Sequence, residues 1–183
     1  MPPITRITKE VILDKALEIV GDKGLEAINA RDLAFALDCS VQPIYYQFEN
    51  MNELKSELLK YAYKLYEEYI NKSKTQNLKY LSSGMAYIKF AKEKKNLFNL
   101  LFMTPQEGKI EDSTIEYFYQ VVMDKTGLTL NQAKDFHFNM WMYVHGIATM
   151  SYTGVINFDE NTIEELLKKQ YQSLIGRYSK WRI

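Results

Sequence analysis

A single cysteine, Cys39, is all the thiol chemistry the chain has. One cysteine excludes an intramolecular disulfide framework and any paired-cysteine redox or zinc motif. Net charge is equally scarce, because 23 Lys+Arg balance 23 Asp+Glu. That balance excludes a general polycation, so any contact with nucleic acid has to be local. Proline occurs only at positions 2, 3, 43 and 105, which leaves long tracts open to uninterrupted helix. Strand signals are missing, since no alternating β-branched run closes on an Asn-Gly or Asp-Gly turn. Catalytic signatures are missing too: there is no Gly-x-Ser-x-Gly, no glycine-rich phosphate loop and no His-Glu-x-x-His. The two histidines, His137 and His145, stand about 12 Å apart along a helix, too far to chelate one metal. We therefore expect no enzyme, no metal and no cofactor.

No basic-then-apolar segment follows Met1, so the expected compartment is the cytoplasm. Residues 136–158 hold no Asp, Glu, Lys or Arg, which is long enough to invite a membrane reading. His137, Asn139, His145, Thr149, Ser151 and Asn157 in that stretch suit a helix buried in protein better than one in lipid. No membrane partner is expected.

What the chain does have is helical apolar spacing almost throughout. With 46% hydrophobic and 25% charged residues, 183 residues suffice for a core without staples. Start and stop signals predict an all-α chain of about nine helices. The first runs from Thr8 to Val20 and stops at Gly21. Asn29 opens the second, with Asp32 returning the capping contact. Ser40 caps the third, Val41 to Phe48, with Pro43 harmless in its first turn. Asn50 and Glu53 open a long fourth helix to Lys74, its inner stripe Leu54, Leu58, Ala62, Leu65 and Tyr69. Further helices are expected over 78–95, 97–103, 113–126, 130–153 and 160–178. Pro105 and Gly108 mark the most open loop, Gly127 ends one helix, and Thr129 with Gln132 caps the next, which Gly154 ends.

Helices two and three, joined by a tight turn at Asp38-Cys39, have the form of a helix-turn-helix. In such a unit the second helix lies in the major groove and offers its N-terminal residues to base edges. Here those residues are Ser40, Val41, Gln42, Pro43, Tyr45, Tyr46 and Gln47. Gln42 can pair with adenine through its amide, and Val41 or Pro43 can touch a thymine methyl. Tyr45 and Tyr46 can reach phosphates. A packed helical turn of this form also occurs without DNA. Cys39 is read as a small apolar residue of the turn.

The runs Gly24-Leu25-Glu26-Ala27, Asn29-Ala30-Arg31-Asp32-Leu33-Ala34 and Leu37-Asp38-Cys39-Ser40-Val41-Gln42-Pro43-Ile44-Tyr45-Tyr46-Gln47-Phe48-Glu49-Asn50 resemble the DNA-binding domain of TetR-family transcriptional regulators. A second resemblance lies at Trp141-Met142-Tyr143-Val144-His145-Gly146, which is similar to a Trp…His-Gly segment in the C-terminal domain of one branch. The resemblance implies a homodimeric repressor on a palindromic double-stranded operator. Residues 1–50 would be the helix-turn-helix domain and 51–183 the ligand-binding and dimerisation domain, joined by the long helix 51–74. It also implies phosphate contacts from Asn29 and Arg31, and Lys55 joins the expected DNA-contacting set. The chain departs from the family pattern at Gln47, where His is common, and at Glu49 and Met51, where a basic residue is common. Its first 60 residues hold seven Lys+Arg and ten Asp+Glu, a net charge of −3. Counterion release drives non-specific DNA affinity, so that affinity is expected to be weak.

Two apolar stripes can pack on each other as intrachain core or on a partner's copy, and so support self-association. Phe136, Met140, Tyr143, Ile147 and Met150 repeat at helical spacing, as do Ile163, Leu167, Tyr171, Leu174 and Tyr178. The helix over 130–153 is apolar on nearly every face, so we expect burial on two sides. A ligand pocket for a small apolar or aromatic molecule is expected around Tyr87, Phe98, Phe102, Met103, Tyr119, Trp141 and His145. The alternative to a ligand-responsive repressor is a helical adaptor that has kept this fold and lost DNA binding.

Overall fold

The structure, a computed structural model, describes residues 7–72, 79–104 and 115–179. Nine α-helices lie in these residues: α1 (Lys9–Lys23), α2 (Ala30–Ala36), α3 (Gln42–Gln47), α4 (Met51–Lys72), α5 (Lys79–Glu93), α6 (Lys95–Phe98), α7 (Ile115–Thr126), α8 (Leu130–Thr153) and α9 (Glu160–Ser179). A 3-10 turn spans Leu25–Ala27, a π-helical turn, Asn99–Met103, continues α6, and the described residues contain no strand. The all-α class is what the chain adopts.

Side chains set most of the helix starts by accepting hydrogen bonds from first-turn amides that have no partner inside the helix. Thr8 Oγ1 accepts from Val11 at 3.4 Å. Asn50 Oδ1 accepts from Asn52 and Glu53 at 3.0 Å each. Thr129 and Gln132 close a full capping box at the start of α8, and Gly154 ends that helix in the left-handed conformation at φ 77°. Two expected boundaries move. α1 passes through Gly21 and ends at Gly24, whose φ of 79° supplies the chain reversal. Ser40 does not cap α3; Val41 holds the cap position, with no side-chain hydrogen bond to it. The expected end of α4 at Lys74, the residues 78, 113 and 114 at helix starts, and the Pro105–Gly108 loop lie outside the described residues.

Packing gathers the chain into two compact units. The first comprises α1 to α4 as far as Glu68, together with α6 and the π-helical turn. It buries Ile12, Ala16, Leu33, Ile44, Phe48, Leu54, Leu58, Ala62, Phe98 and Leu100. α6 and the π-helical turn pack on α1, and Phe102 meets Phe98 and Tyr66 with ring centroids 5.5 and 5.2 Å apart. Polar contacts tie α1 to α4: Lys9 pairs with Glu57 at 2.8 Å, and Tyr61 donates to Asp14 at 2.7 Å. Hydrogen bonds from Lys60 and then Lys9 hold the Glu57 carboxyl down at about 2. The line of packing therefore falls within α4, beyond the division of roles expected at residue 50. On α4 the stripe is buried at Leu54, Leu58 and Ala62, while Leu65 and Tyr69 are half-buried and Ile70 is the buried residue near its end.

The second unit comprises the end of α4, α5, α7, α8 and α9. α5 runs against α8 and α9, and α7 covers the first half of α8. Val122, Leu128, Ala133, Phe136, Met140 and Leu174 form one buried cluster, flanked by Tyr80, Tyr171 and Tyr178. Gly84 marks where α5 comes closest to its neighbours. A Cβ there would stand 3.3 Å from both Leu167 Cδ1 and Val144 Cγ2. Gly84→Leu is expected to lower the free energy of unfolding by about 1–3 kcal/mol through overpacking. Gly84→Ala should change it by less than about 1 kcal/mol, since its helix propensity gain offsets a small crowding cost. Urea unfolding of the two variants checks the contact.

Candidate nucleic-acid interface

Between α2 and α3 the chain has to turn sharply without glycine. Asp38 makes the turn at φ 51°, a left-handed conformation that Asp tolerates better than most residues. The Cys39 amide then donates to the Ala34 carbonyl at 2.9 Å. α3 follows, with Pro43 in its first turn. Ile44 and Phe48 point inward and are essentially fully buried, and the Lys9 ammonium sits 5.2 Å over the Phe48 ring. Their burial turns Ser40, Val41, Gln42, Tyr45, Tyr46 and Gln47 outward, all exposed, with Pro43 half-buried. The expected base-reading set thus shares one accessible surface. Burial and then the neighbouring Asp38 carboxylate raise the Cys39 thiol above its ordinary value, so it stays protonated.

The surface is aromatic and apolar rather than basic. Phe35 is 90% exposed, Tyr46 75%, Tyr45 49% and Val41 39%. Among the described cations of the first unit, Lys55 pairs with Glu26 at 2.7 Å, and Lys60 with Glu57 at 2.8 Å. Lys15 pairs with Glu18. Lys55, expected in the DNA-contacting set, thus ties α4 to the 3-10 turn with its side chain only 20% exposed. Asn29 is likewise engaged in its own helix, since Oδ1 accepts from Arg31 and Asp32 and Nδ2 donates to Asp32 Oδ2 at 3.0 Å. The reciprocal contact expected from Asp32 therefore comes through the side-chain amide. Arg31 stands exposed one residue inside α2. One contact escaped the sequence reading although its spacing is helical: Gln42 Nε2 donates to Tyr46 Oη at 2.9 Å.

The residues expected to line a ligand pocket fall into separate groups. Phe98, Phe102 and Met103 belong to the first unit, with Phe98 fully buried and Met103 38% exposed. In the second unit, Tyr87 is buried on α5 and its hydroxyl lies 2.9 Å from His145 Nδ1. Trp141 stacks on His145 at 5.1 Å, and Phe138 stacks on Trp141 at 6.3 Å. Tyr119 packs instead on His137, at 5.5 Å, two turns earlier on α8. A cavity of about 460 Å³ in the second unit lies between α5 and α9 and is lined by Leu81, Met85, Lys89, Lys92, Glu160 and Ile163. None of the expected pocket residues lines it.

The stripes expected at a dimer seam are largely turned inward. Phe136, Met140, Ile147, Ile163, Leu167 and Leu174 are buried within the one chain, where no partner copy can reach them. Tyr143, Tyr171 and Tyr178 are half-buried, Tyr171 against Tyr80 and Phe136, and Tyr178 with its hydroxyl on Asp135. Met150 keeps 40% of its surface. The opposite face of α8 carries Phe138, Trp141 and Met142, each 43–55% exposed. Spacing could have found that face: a helix apolar all round has two stripes, and the sequence reading followed only one of them.

The family model described as "Tetracyclin repressor-like, C-terminal domain" matches residues 81–174, just over half of the chain and most of the second unit. The chain belongs to this family of tetracycline-repressor-like transcriptional regulators. A solved structure, a TetR-like transcriptional regulator from Rhodococcus sp. RHA1, superposes with a TM-score of 0.68 at 13% identity and covers 100% of both chains. The TetR-like fold therefore extends over the N-terminal helices as well. No curated protein matches the chain. Among the described residues, no helix of this TetR-like chain is long and apolar enough to cross a membrane.

Desolvation lowers the His145 pKa below its ordinary 6.5. The unfolded chain therefore takes up this proton first as pH falls. The stability that His145 contributes is complete above about pH 6.5 and is lost as pH drops from there through the lower folded value. His145→Gln is expected to lose less stability than the wild type between pH 7.5 and 5.5, read as the fall in urea midpoint. An identical fall in both proteins would contradict the assignment.

Proposed function

We propose that the chain is a ligand-responsive repressor that binds a palindromic DNA operator as a homodimer in the cytoplasm. The observation that carries this reading is α3. Its inward residues are buried, while Val41, Gln42, Tyr45, Tyr46 and Gln47 present groups that can read bases or meet phosphate. Two copies of α3 about 34–36 Å apart would enter successive major grooves. Ser40 and Arg31 flank that face as phosphate contacts, whereas Asn29 and Lys55 serve first to hold the reader together.

The dimer seam is assigned to the outer face of α8, through Phe138, Trp141 and Met142, with Met150 beyond them. Aromatic anchors of this kind dominate interface energetics. A homodimer places this face against itself, so Phe138→Asp would bring two like charges together. That variant is expected to weaken self-association by about thirtyfold or more, measured by sedimentation at micromolar concentration. A dimer that is undisturbed by the substitution would remove α8 from the seam.

Ligand response has a covalent route. α5 runs directly into Lys95–Met103, the segment that packs on α1 of the reader. A small apolar or aromatic molecule that rearranged the Tyr87, His145 and Trp141 group would pull on that segment. It would shift the reader only as far as it binds one arrangement better than the other.

One observation favours the second reading, an adaptor without DNA binding: the reader is acidic, and among its described cations Lys9, Lys15, Lys55 and Lys60 are already paired. Selection from a random duplex library at physiological salt separates the two. The repressor reading expects a palindrome whose half-sites lie about one helical turn, or a small multiple of it, apart. A folded dimer that enriches no sequence would establish the adaptor reading instead.

A further inference from the structure

We propose that Tyr46 is a positioning residue that fixes the Gln42 amide for adenine and against guanine. The inference rests on the DNA-reading role proposed above and assigns one base of the operator to one side-chain pair. Gln42 begins α3, and Tyr46 follows four residues later on the same face, both exposed. Gln42 Nε2 donates to Tyr46 Oη at 2.9 Å. The amide nitrogen carries two hydrogens, and the tyrosine occupies one of them. What remains is one N–H and the Oε1 acceptor.

Adenine presents an acceptor at N7 and a donor at N6, which that remaining pair matches. Guanine presents acceptors at both N7 and O6, and so asks for two donors. A freely rotating glutamine can turn both amide hydrogens to guanine. A glutamine with one hydrogen held by Tyr46 has a single donor left, and its Oε1 faces the O6 acceptor. The tether therefore excludes guanine as well as favouring adenine. Because Oη accepts from Gln42, its own proton stays available for a phosphate oxygen, and this chain of hydrogen bonds links base contact to backbone contact.

The test uses the full-length protein and duplexes carrying the selected operator, with each of the four bases placed in turn at every half-site position. Gln42→Ala should abolish an adenine preference at one position per half-site. Tyr46→Phe keeps the ring and removes the hydroxyl. It should lower the adenine-over-guanine ratio at that same position about three- to tenfold and leave the ratios at other positions within about twofold. The double variant should lose no more of the preference than Gln42→Ala alone. Tyr46 is largely exposed, so an unchanged thermal midpoint verifies that the variant stays folded.

A Tyr46→Phe protein that weakens evenly on all sequences would make the hydroxyl a phosphate contact only, and would overturn the proposal. So would an unchanged ratio, or a Gln42→Ala effect at a position where the preferred base is not adenine. These failures leave wild-type selection of an operator intact. If the wild type selects no sequence, the DNA-reading role itself fails and takes this inference with it.

Discussion

A helix of six residues does not hold its shape alone in water, because nucleation costs more than so short a run of hydrogen bonds returns. α3 exists because Ile44 and Phe48 are buried, with the Lys9 ammonium of α1 over the Phe48 ring. That burial fixes which side of α3 faces out, so the chemistry of the reader is the complement of its packing. It also explains the demands on the connections around it. Asp38 has to make a left-handed turn, Asn29 has to cap α2, and Lys55 has to tie α4 back to the 3-10 turn. Residues that could have met phosphate are spent on holding the reader in shape.

The consequence is a reader that is poor in free positive charge and rich in aromatic and amide groups. Counterion release is the general source of affinity for DNA, and it scales with the number of phosphates neutralised by cations. Here Glu18, Glu26 and Glu57 already take up Lys15, Lys55, Lys60 and Lys9. On the proposed reading, affinity then comes from shape, hydroxyl and amide contacts, and from two readers in one dimer. Such a protein would ignore random duplex and recognise one site. The same charge balance is what keeps the adaptor reading in play.

Much of this fold was legible in the sequence because side chains mark its helix boundaries locally. Thr8, Asn29, Asn50, Thr129 and Gly154 act within a few residues of where they stand, so a linear reading finds them. Ser40 misled because its type suits a cap, while the burial of Ile44 decided where α3 begins. Gly21 misled for a similar reason: α1 has enough packing on α2 and α6 to carry a glycine, and Gly24 makes the reversal. The outward face of α3 was legible from register with Ile44 and Phe48. The stripes on α8 and α9 were read correctly as apolar but assigned to the wrong neighbour. Spacing alone does not say whether Phe136 and Leu174 meet α5 and α7 of the same chain or a second copy. The expected ligand group divides between the two units, with Tyr87, Trp141 and His145 together in one of them, because composition gathers aromatics without saying which of them touch.

The central claim is that uncharged side chains on α3, and not net positive charge, carry recognition of DNA. Salt dependence tests it most directly. If uncharged groups carry recognition, the slope of log affinity against log salt for the selected operator should be about −2 to −4 per dimer. Random duplex should bind weakly even at low salt. A slope of about −6 or steeper, with random duplex bound nearly as tightly as the operator, would contradict the account.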